Sequence, residues 1–266
     1  MAVNESPIDA ASLARLAADS GLSGASIVLA PAGLAMTGVA VEPDRPLYPA
    51  SMIKVPIAAA LALRCAAGDF ALNERITIDA ANLTTNDAPS PFVAGYEASL
   101  GDLLHGMVGA SDNVATNVLI DVLGRASIGP SCEHLGLRGT AVRRKLSGGL
   151  PLIDDPAATG RNSHPAGDAA RLFAAIEARS EPGLDLVAAA LEQQIWNDKL
   201  SRGFWSTDRF AHKTGDTDEV SHDGGILTLA DGRRFIIVVY TALPANPETD
   251  LRFGAFARAL RPYLGT

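Results

Sequence analysis

Ser51 and Lys54 stand three residues apart where a proline-marked stretch, Pro49-Ala50-Ser51-Met52-Ile53-Lys54-Val55-Pro56, runs into the apolar segment from Ile57 to Leu63. Three residues is nearly one helical turn, so a helix that starts at Ser51 lays the lysine amine beside the serine hydroxyl on one face. A serine hydroxyl is a weak nucleophile at neutral pH and needs a neighbouring base, while the free N–H groups of a helix N-terminus can stabilise an oxyanion. The pattern is short. An ordinary helix start with a solvated lysine would spell it equally well.

Two further stretches carry matching chemistry. Ser111-Asp112-Asn113 follows Gly109-Ala110 at the junction of two helices. Short polar residues there serve as N-caps, or else Ser111 relays a proton and the Asn113 amide binds a substrate carbonyl or N–H. His212-Lys213-Thr214-Gly215 ends a strand. It reads as a turn, or as a cation and a hydroxyl presented at a sheet edge to an anionic substrate, with Gly215 letting the backbone approach closely.

The elements that must position these residues follow from periodicity. Ile8 to Ala18 reads as an amphipathic helix, and two β-like runs follow, Ala25 to Ala30 and Ala35 to Val41, around Pro31-Ala32-Gly33. From Ser51 to about Phe204 the pattern is helical: Ser99 to Val108 with Ser99 and Asp102 as its cap, Asn113 to Leu123, Pro165 to Arg179 and Gly183 to Gln194. Arg143 to Asn162 is a long irregular connection, of a kind that is usually functional or mobile. Arg209 to Lys213, Gly224 to Leu229 and Arg234 to Thr241 read as strands, the last two joined at Asp231-Gly232, and Asp250 to Leu264 as a closing helix. The fold class is therefore α/β (α+β): an antiparallel five-stranded sheet flanked by terminal helices, with an all-helical lobe inserted between strands two and three. One two-lobed domain is expected, its sheet lobe about 1–48 and 206–266 and its helical lobe about 49–205.

A hydrophobic content of 47% over 266 residues suffices for a large core, and a formal charge of -8 argues against nucleic acid or an anionic membrane as partner. Lysine is scarce: Lys54, Lys145, Lys199 and Lys213 are the full set. Cys65 and Cys132 lack metal spacing, and a disulfide between them stays open. No His, Cys or carboxylate cluster has ligand spacing, so no metal or organic cofactor is expected. Met1 to Pro7 shows no basic region followed by an apolar core, and no stretch is apolar enough to span a membrane. Taken literally the chain is cytoplasmic; with a leader removed it would be periplasmic or secreted. A monomer is expected.

Ser-x-x-Lys at a helix start, Ser-Asp-Asn between helices and Lys-Thr-Gly on a late strand, in that order, resemble the class A β-lactamases and the penicillin-recognising serine enzymes. The resemblance covers most of the chain, with Asp223-Gly224-Gly225 falling where the next strand begins. It implies that Ser51 attacks a carbonyl and becomes acylated, with Lys54 as a candidate base that must be neutral, the positive field of Lys213 favouring loss of its proton. Ser111 would pass the proton to the leaving nitrogen and Asn113 would hold the acyl side chain. Lys213 and Thr214 would bind a substrate carboxylate, and the backbone N–H groups of Ser51 and Asp216 would form the oxyanion hole. An acid at Asp216 would repel an anionic substrate unless its side chain points away.

The resemblance also implies a glutamate that activates water for deacylation, and that position falls near Ser147 or Gly148, where no acid stands. Glu133 comes too early, and Asp154 and Asp155 too late unless the loop folds differently. His164 is a further candidate, set against a local hydrogen bond at a helix entry; His212 is expected to pack on the other sheet face from Lys213. Ser221-His222-Asp223 spells a triad, but neighbours along a strand point in opposite directions. Trp196, Phe204 and Trp205 either pack in the core or line a rim. The expected substrate is a small molecule bearing a carboxylate, a β-lactam or another amide, ester or thioester, and the rival is a binding protein that turns over slowly or not at all.

Overall fold

A computed structural model describes residues 8–33, 37–147 and 153–265. Helix α1 (Ala10–Asp19) is capped by Asp9, whose carboxylate accepts from the Ser12 N–H at 2.7 Å. Strands β1 (Ser26–Pro31) and β2 (Val39–Val41) follow; the expected beginning of β2 at Ala35 lies outside the described residues. A 3-10 turn (Ala50–Ile53) leads into α2 (Lys54–Ala66). Next come β3 (Arg75–Thr77) and β4 (Glu97–Ser99), which pair with each other, and then α3 (Leu100–Gly109), α4 (Asn113–Leu123), α5 (Arg125–His134), α6 (Ala166–Ala178) and α7 (Leu184–Leu191). A 3-10 turn (Leu200–Gly203), strands β5 (Arg209–Asp216), β6 (Ser221–Thr228) and β7 (Arg234–Thr241), and helix α8 (Pro247–Leu260) close the chain.

The five-stranded sheet runs β2-β1-β7-β6-β5, antiparallel throughout, so α2 to α7 are inserted between its second and third strands in chain order; the insertion is not all-helical as expected, because Arg75–Thr77 and Glu97–Ser99 pair as a two-stranded ribbon. Alternation along the strands feeds two cores. Val28, Ile226, Ile236, Val238 and Tyr240 face the inserted helices, while Ile27, Leu29, Leu227, Ile237 and Val239 face α1 and α8 through Leu13, Phe253 and Phe256. Helix α6 packs on the first face of the sheet, and no helix among the described residues is long and apolar enough to cross a membrane.

Several boundaries differ from expectation for physical reasons. The helix expected from Ser51 begins as an α-helix only at Lys54. Pro56 has no N–H to give the Met52 carbonyl, so it is tolerated in the first turn and the four residues before Lys54 wind as 3-10. Strands β5 and β6 run further than their apolar runs, because Lys213 to Asp216 pair residue by residue with Gly224 to Ser221. The closing helix begins earlier, at Pro247, with the Asn246 side chain accepting from the Thr249 N–H at 2.9 Å, and ends as a 3-10 turn (Arg261–Leu264). Helix α5 was not expected: only Ile128 and Cys132 of its residues are buried and Pro130 interrupts it, so its period is faint. Cys65 and Cys132 are free thiols, and burial pushes Cys132 up to about 12.

Gly215 fixes how the Ser51 turn meets the sheet. A Cβ there would lie 2.9 Å from the Pro49 carbonyl oxygen and 3.1 Å from the Met52 N. The close approach expected at this glycine is therefore taken by the Ser51 turn rather than by a substrate. Gly215→Ala is expected to lower unfolding free energy by about 1–3 kcal/mol, as overpacking does. Urea denaturation checks this, and an unchanged midpoint would mean that the turn yields freely.

Candidate active site

The three motifs converge. Ser51, Ser111, Thr214 and Asp216 line one cavity of about 270 Å³, together with Asp87, Trp196, Asp198, Lys199, Asn246 and Asp250. Lys54, Asn113 and Lys213 lie buried beside it. The 3-10 turn supplies Ser51, the first residue of α2 supplies Lys54, the α3–α4 junction supplies Ser111 and Asn113, and the sheet edge supplies Lys213, Thr214 and Asp216.

Lys54 Nζ reaches the Ser111 carbonyl at 2.7 Å, Asn113 Oδ1 at 2.8 Å and Ser111 Oγ at 3.0 Å. Ser51 Oγ is not among its hydrogen-bond partners, so the pairing expected from helical spacing gives way to one reached across the fold. Ser111 holds φ 58°, a left-handed conformation that a serine adopts at a cost and in which both its oxygens reach Lys54. Lys213 Nζ donates to Ser111 Oγ at 2.9 Å and to the Thr214 carbonyl at 2.9 Å. The two lysines thus meet at one hydroxyl.

Burial, and then the charge of Lys213, lower the Lys54 pKa well below the usual lysine range, against opposing pulls from Asp112 and Asp87. Burial likewise brings Lys213 down to about 7. A neutral Lys54 satisfies the geometry with two N–H groups donated to the Ser111 carbonyl and Asn113 Oδ1 and its lone pair facing the Ser111 hydroxyl. Asn113 is largely committed inside the protein: its Oδ1 accepts from Lys54 and its Nδ2 donates to the Thr85 carbonyl at 2.9 Å, leaving one amide proton for a ligand. The Asp216 side chain accepts from Lys199 Nζ at 2.5 Å and from Ser221 Oγ at 2.9 Å, which partly neutralises the acid after the Lys-Thr-Gly motif.

The candidates for the deacylating base are engaged elsewhere. Asp155 pairs with Arg125 and accepts from the Lys145 N–H at 2.8 Å, which staples the long connection to α5. His164 is buried away from the cavity. The single Thr140 hydroxyl proton goes to Asp168 at 2.8 Å, so His164 Nδ1–H donates to Thr140 at 2.7 Å and Nε2 is left buried without a partner. Asp154 is exposed and outside the cavity wall. Gly148 and Gly149 lie outside the described residues; Leu146 is held by both ends of the Asn117 amide, at 2.7 and 2.9 Å.

Consecutive Ser221, His222 and Asp223 go three ways: Ser221 to Asp216, His222 to the Tyr48 carbonyl, and Asp223 to His212 Nδ1 at 2.7 Å. His212 and Asp223 form a serine-histidine-aspartate chain with Ser201, 3.2 Å from His212 Nε2, but Asn197 Oδ1 also contacts that nitrogen at 3.1 Å and neither Ser201 nor His212 lines the cavity. It is a buried tie between β5, β6 and the Leu200–Gly203 turn. Trp196 lines the cavity, its Nε1 donating to the Ala110 carbonyl at 3.1 Å, whereas Trp205 lies under the Arg261 guanidinium and Phe204 packs edge-on against Phe210. Sequence reasoning missed Asp87, Asp198, Lys199 and Asp250. Only Lys199 left a signal, as one of four lysines.

The Ser51 turn, two buried lysines meeting at a serine between helices, and a sheet-edge Lys-Thr-Gly make up a site of the serine-hydrolase class. The family model described as the β-lactamase enzyme family matches residues 13–264, and the chain belongs to that family. Among solved structures it is similar to the β-lactamase from Sphaerobacter thermophilus, at 27% identity over 95% of this chain and 96% of that one, TM-score 0.80. It is also similar to the β-lactamase from Desulfarculus baarsii, at 22% identity over 97% and 99% of the two chains, TM-score 0.82. A variant of PBP-A in acyl-enzyme complex with penicillin G is 22% identical over 96% of each chain, TM-score 0.79. No curated protein matches the chain.

Burial lowers His164 from 6.5 to about 3 and His222 from 6.5 to about 4. Both folded values lie below the unfolded one, so between about pH 6.5 and 4 the unfolded chain binds more protons and stability falls as pH falls. The pair is expected to contribute up to about 3 kcal/mol per pH unit in that window. His164→Gln should about halve that contribution in urea unfolding at pH 6, 5 and 4, and a variant with the parent's slope would refute it.

Proposed function

We propose that this protein is a serine hydrolase that forms an acyl-enzyme on Ser51 with a β-lactam or a related small amide, ester or thioester. The observation that carries this reading is the hydrogen-bonded line Lys54–Ser111–Lys213 beside the cavity that Ser51 enters. Lys54, depleted of its proton by burial and by Lys213, is the base that takes the Ser51 proton, by closing on it when substrate binds or through the Ser111 hydroxyl. Ser111 then returns a proton to the leaving group. The backbone N–H groups of Ser51 and Asp216, two residues that line the cavity, would hold the oxyanion, and Thr214 with neighbouring Lys213 would hold a substrate carboxylate.

Deacylation is the weak step in this scheme. In the long connection Asp155 is committed to Arg125 and Lys145 and Asp154 is exposed off the cavity wall, and His164 beyond it is sealed off beside Thr140. This favours slow turnover, and it keeps a penicillin-binding or acyl-accepting role as the second reading. General-base assistance to water is worth about 10²- to 10⁴-fold, so its loss lets the adduct outlive its formation.

Intact-protein mass spectrometry over time, with penicillin G and with a chromogenic cephalosporin, tests both halves. A persistent adduct of one ligand per chain is expected, absent in Ser51→Ala, with Lys54→Ala acylating about 10²- to 10⁴-fold more slowly. Product without lasting adduct would overturn slow deacylation. No adduct and no product would remove β-lactams as substrates.

A further inference from the structure

His222 lies outside the three motifs and is fully buried on the sheet face that meets the inserted helices. Its ring stacks on Tyr240, with centroids 4.1 Å apart and planes 9° from parallel. The Thr241 backbone N–H points at its Nδ1 from 3.2 Å, so that nitrogen is the acceptor and Nε2 carries the proton. Nε2 stands 2.7 Å from the Tyr48 carbonyl oxygen and donates to it. The tautomer is set by the two backbone partners.

Tyr48 is three residues before Ser51. Between them Ala50 is held at φ 47°, where an alanine sits only if its surroundings compel it, and the Met52 N–H closes the turn on the Pro49 carbonyl at 3.0 Å. Gly215 supports the same turn from β5 through contact with Pro49 and Met52. Arg161 lies over the Tyr48 ring at 4.5 Å, while the backbone at the entry to the turn is hydrogen-bonded from β6 by the His222 side chain.

We propose that His222 is a positioning residue for the nucleophile. Its Nε2–H to Tyr48 bond pins the chain upstream of the strained Ala50, and so aims the Ser51 hydroxyl and backbone N–H into the cavity. The catalytic consequence rests on the acyl-Ser51 reading above; the control of the turn does not. Misplacement of reacting groups by about 1 Å can cost about 10²-fold, which sets the expected scale.

The test compares His222→Phe, which keeps a ring to stack on Tyr240 but offers no donor, with His222→Gln, whose amide can donate to Tyr48. Two readouts are needed: hydrogen exchange of the Met52 amide, and the rate constants for Ser51 acylation by penicillin G, split into binding and chemical steps. His222→Phe is expected to speed Met52 exchange at least tenfold and to slow the chemical step about 10²-fold with little change in binding, and His222→Gln to recover most of both. Ala50→Gly, which accommodates the positive φ without strain, should partly restore the turn in the His222→Phe background. If His222→Phe does not fold, His222→Asn, too short to reach Tyr48, replaces it. Unchanged Met52 exchange, or equal behaviour of the Phe and Gln variants, overturns the proposal. A parent protein that penicillin G never acylates, but whose Met52 exchange responds as expected, would discard the acylation reading and keep the anchor.

Discussion

Two lysine amines, each fully buried, share the hydroxyl of Ser111 at 3.0 and 2.9 Å. Two ammonium ions so placed repel strongly away from bulk water, and each also bears the cost of desolvation. The fold eases this by lowering both pKa values: burial acts on each amine, and the field of Lys213 adds to burial at Lys54, which favours loss of a proton there. Much of the site follows from that constraint: the α3–α4 junction presents Ser111, the start of α2 presents Lys54, and β5 extends beyond its apolar run to deliver Lys213.

Holding these groups together strains the backbone where it matters. Among the described residues other than glycine, four have positive φ, and two of them, Ala50 and Ser111, lie beside Ser51 and at the lysine junction. Each such residue costs about 1–3 kcal/mol and survives only where packing and hydrogen bonds over-determine it. Ser111 is held by both lysines. Ala50 is held by what lies on either side: Tyr48 bonded to His222, and Pro49 and Met52 pressed against Gly215.

The cavity is unusually rich in acid for a site that would take an anion. Asp87, Asp198, Asp216 and Asp250 lie on its wall with Lys199, and Lys199 bonds to Asp216 and to the His222 carbonyl. Partial burial raises the Asp250 pKa, and the neighbouring carboxylates Asp216 and Asp198 add to it against the pull of Lys199.

The sequence alone determined the chemistry on offer and the order of elements. Ser-x-x-Lys, Ser-Asp-Asn and Lys-Thr-Gly are read from neighbouring residues, and the strand alternation in β7 or the Ser99–Asp102 cap of α3 are local patterns that local geometry must obey. Helix α5 escaped because one weakly buried face with a proline gives little period. The tertiary structure decided who touches whom. Lys54 turned from Ser51 to Ser111 and Asn113, Gly215 received the Ser51 turn, Asp155 became a staple, and His222 became an anchor. Residue types and spacings are fixed within a turn or two of chain, but a buried side chain must find its partner among groups dozens of residues away. Only the packed fold brings those groups to hydrogen-bonding distance and excludes the water that would otherwise replace them.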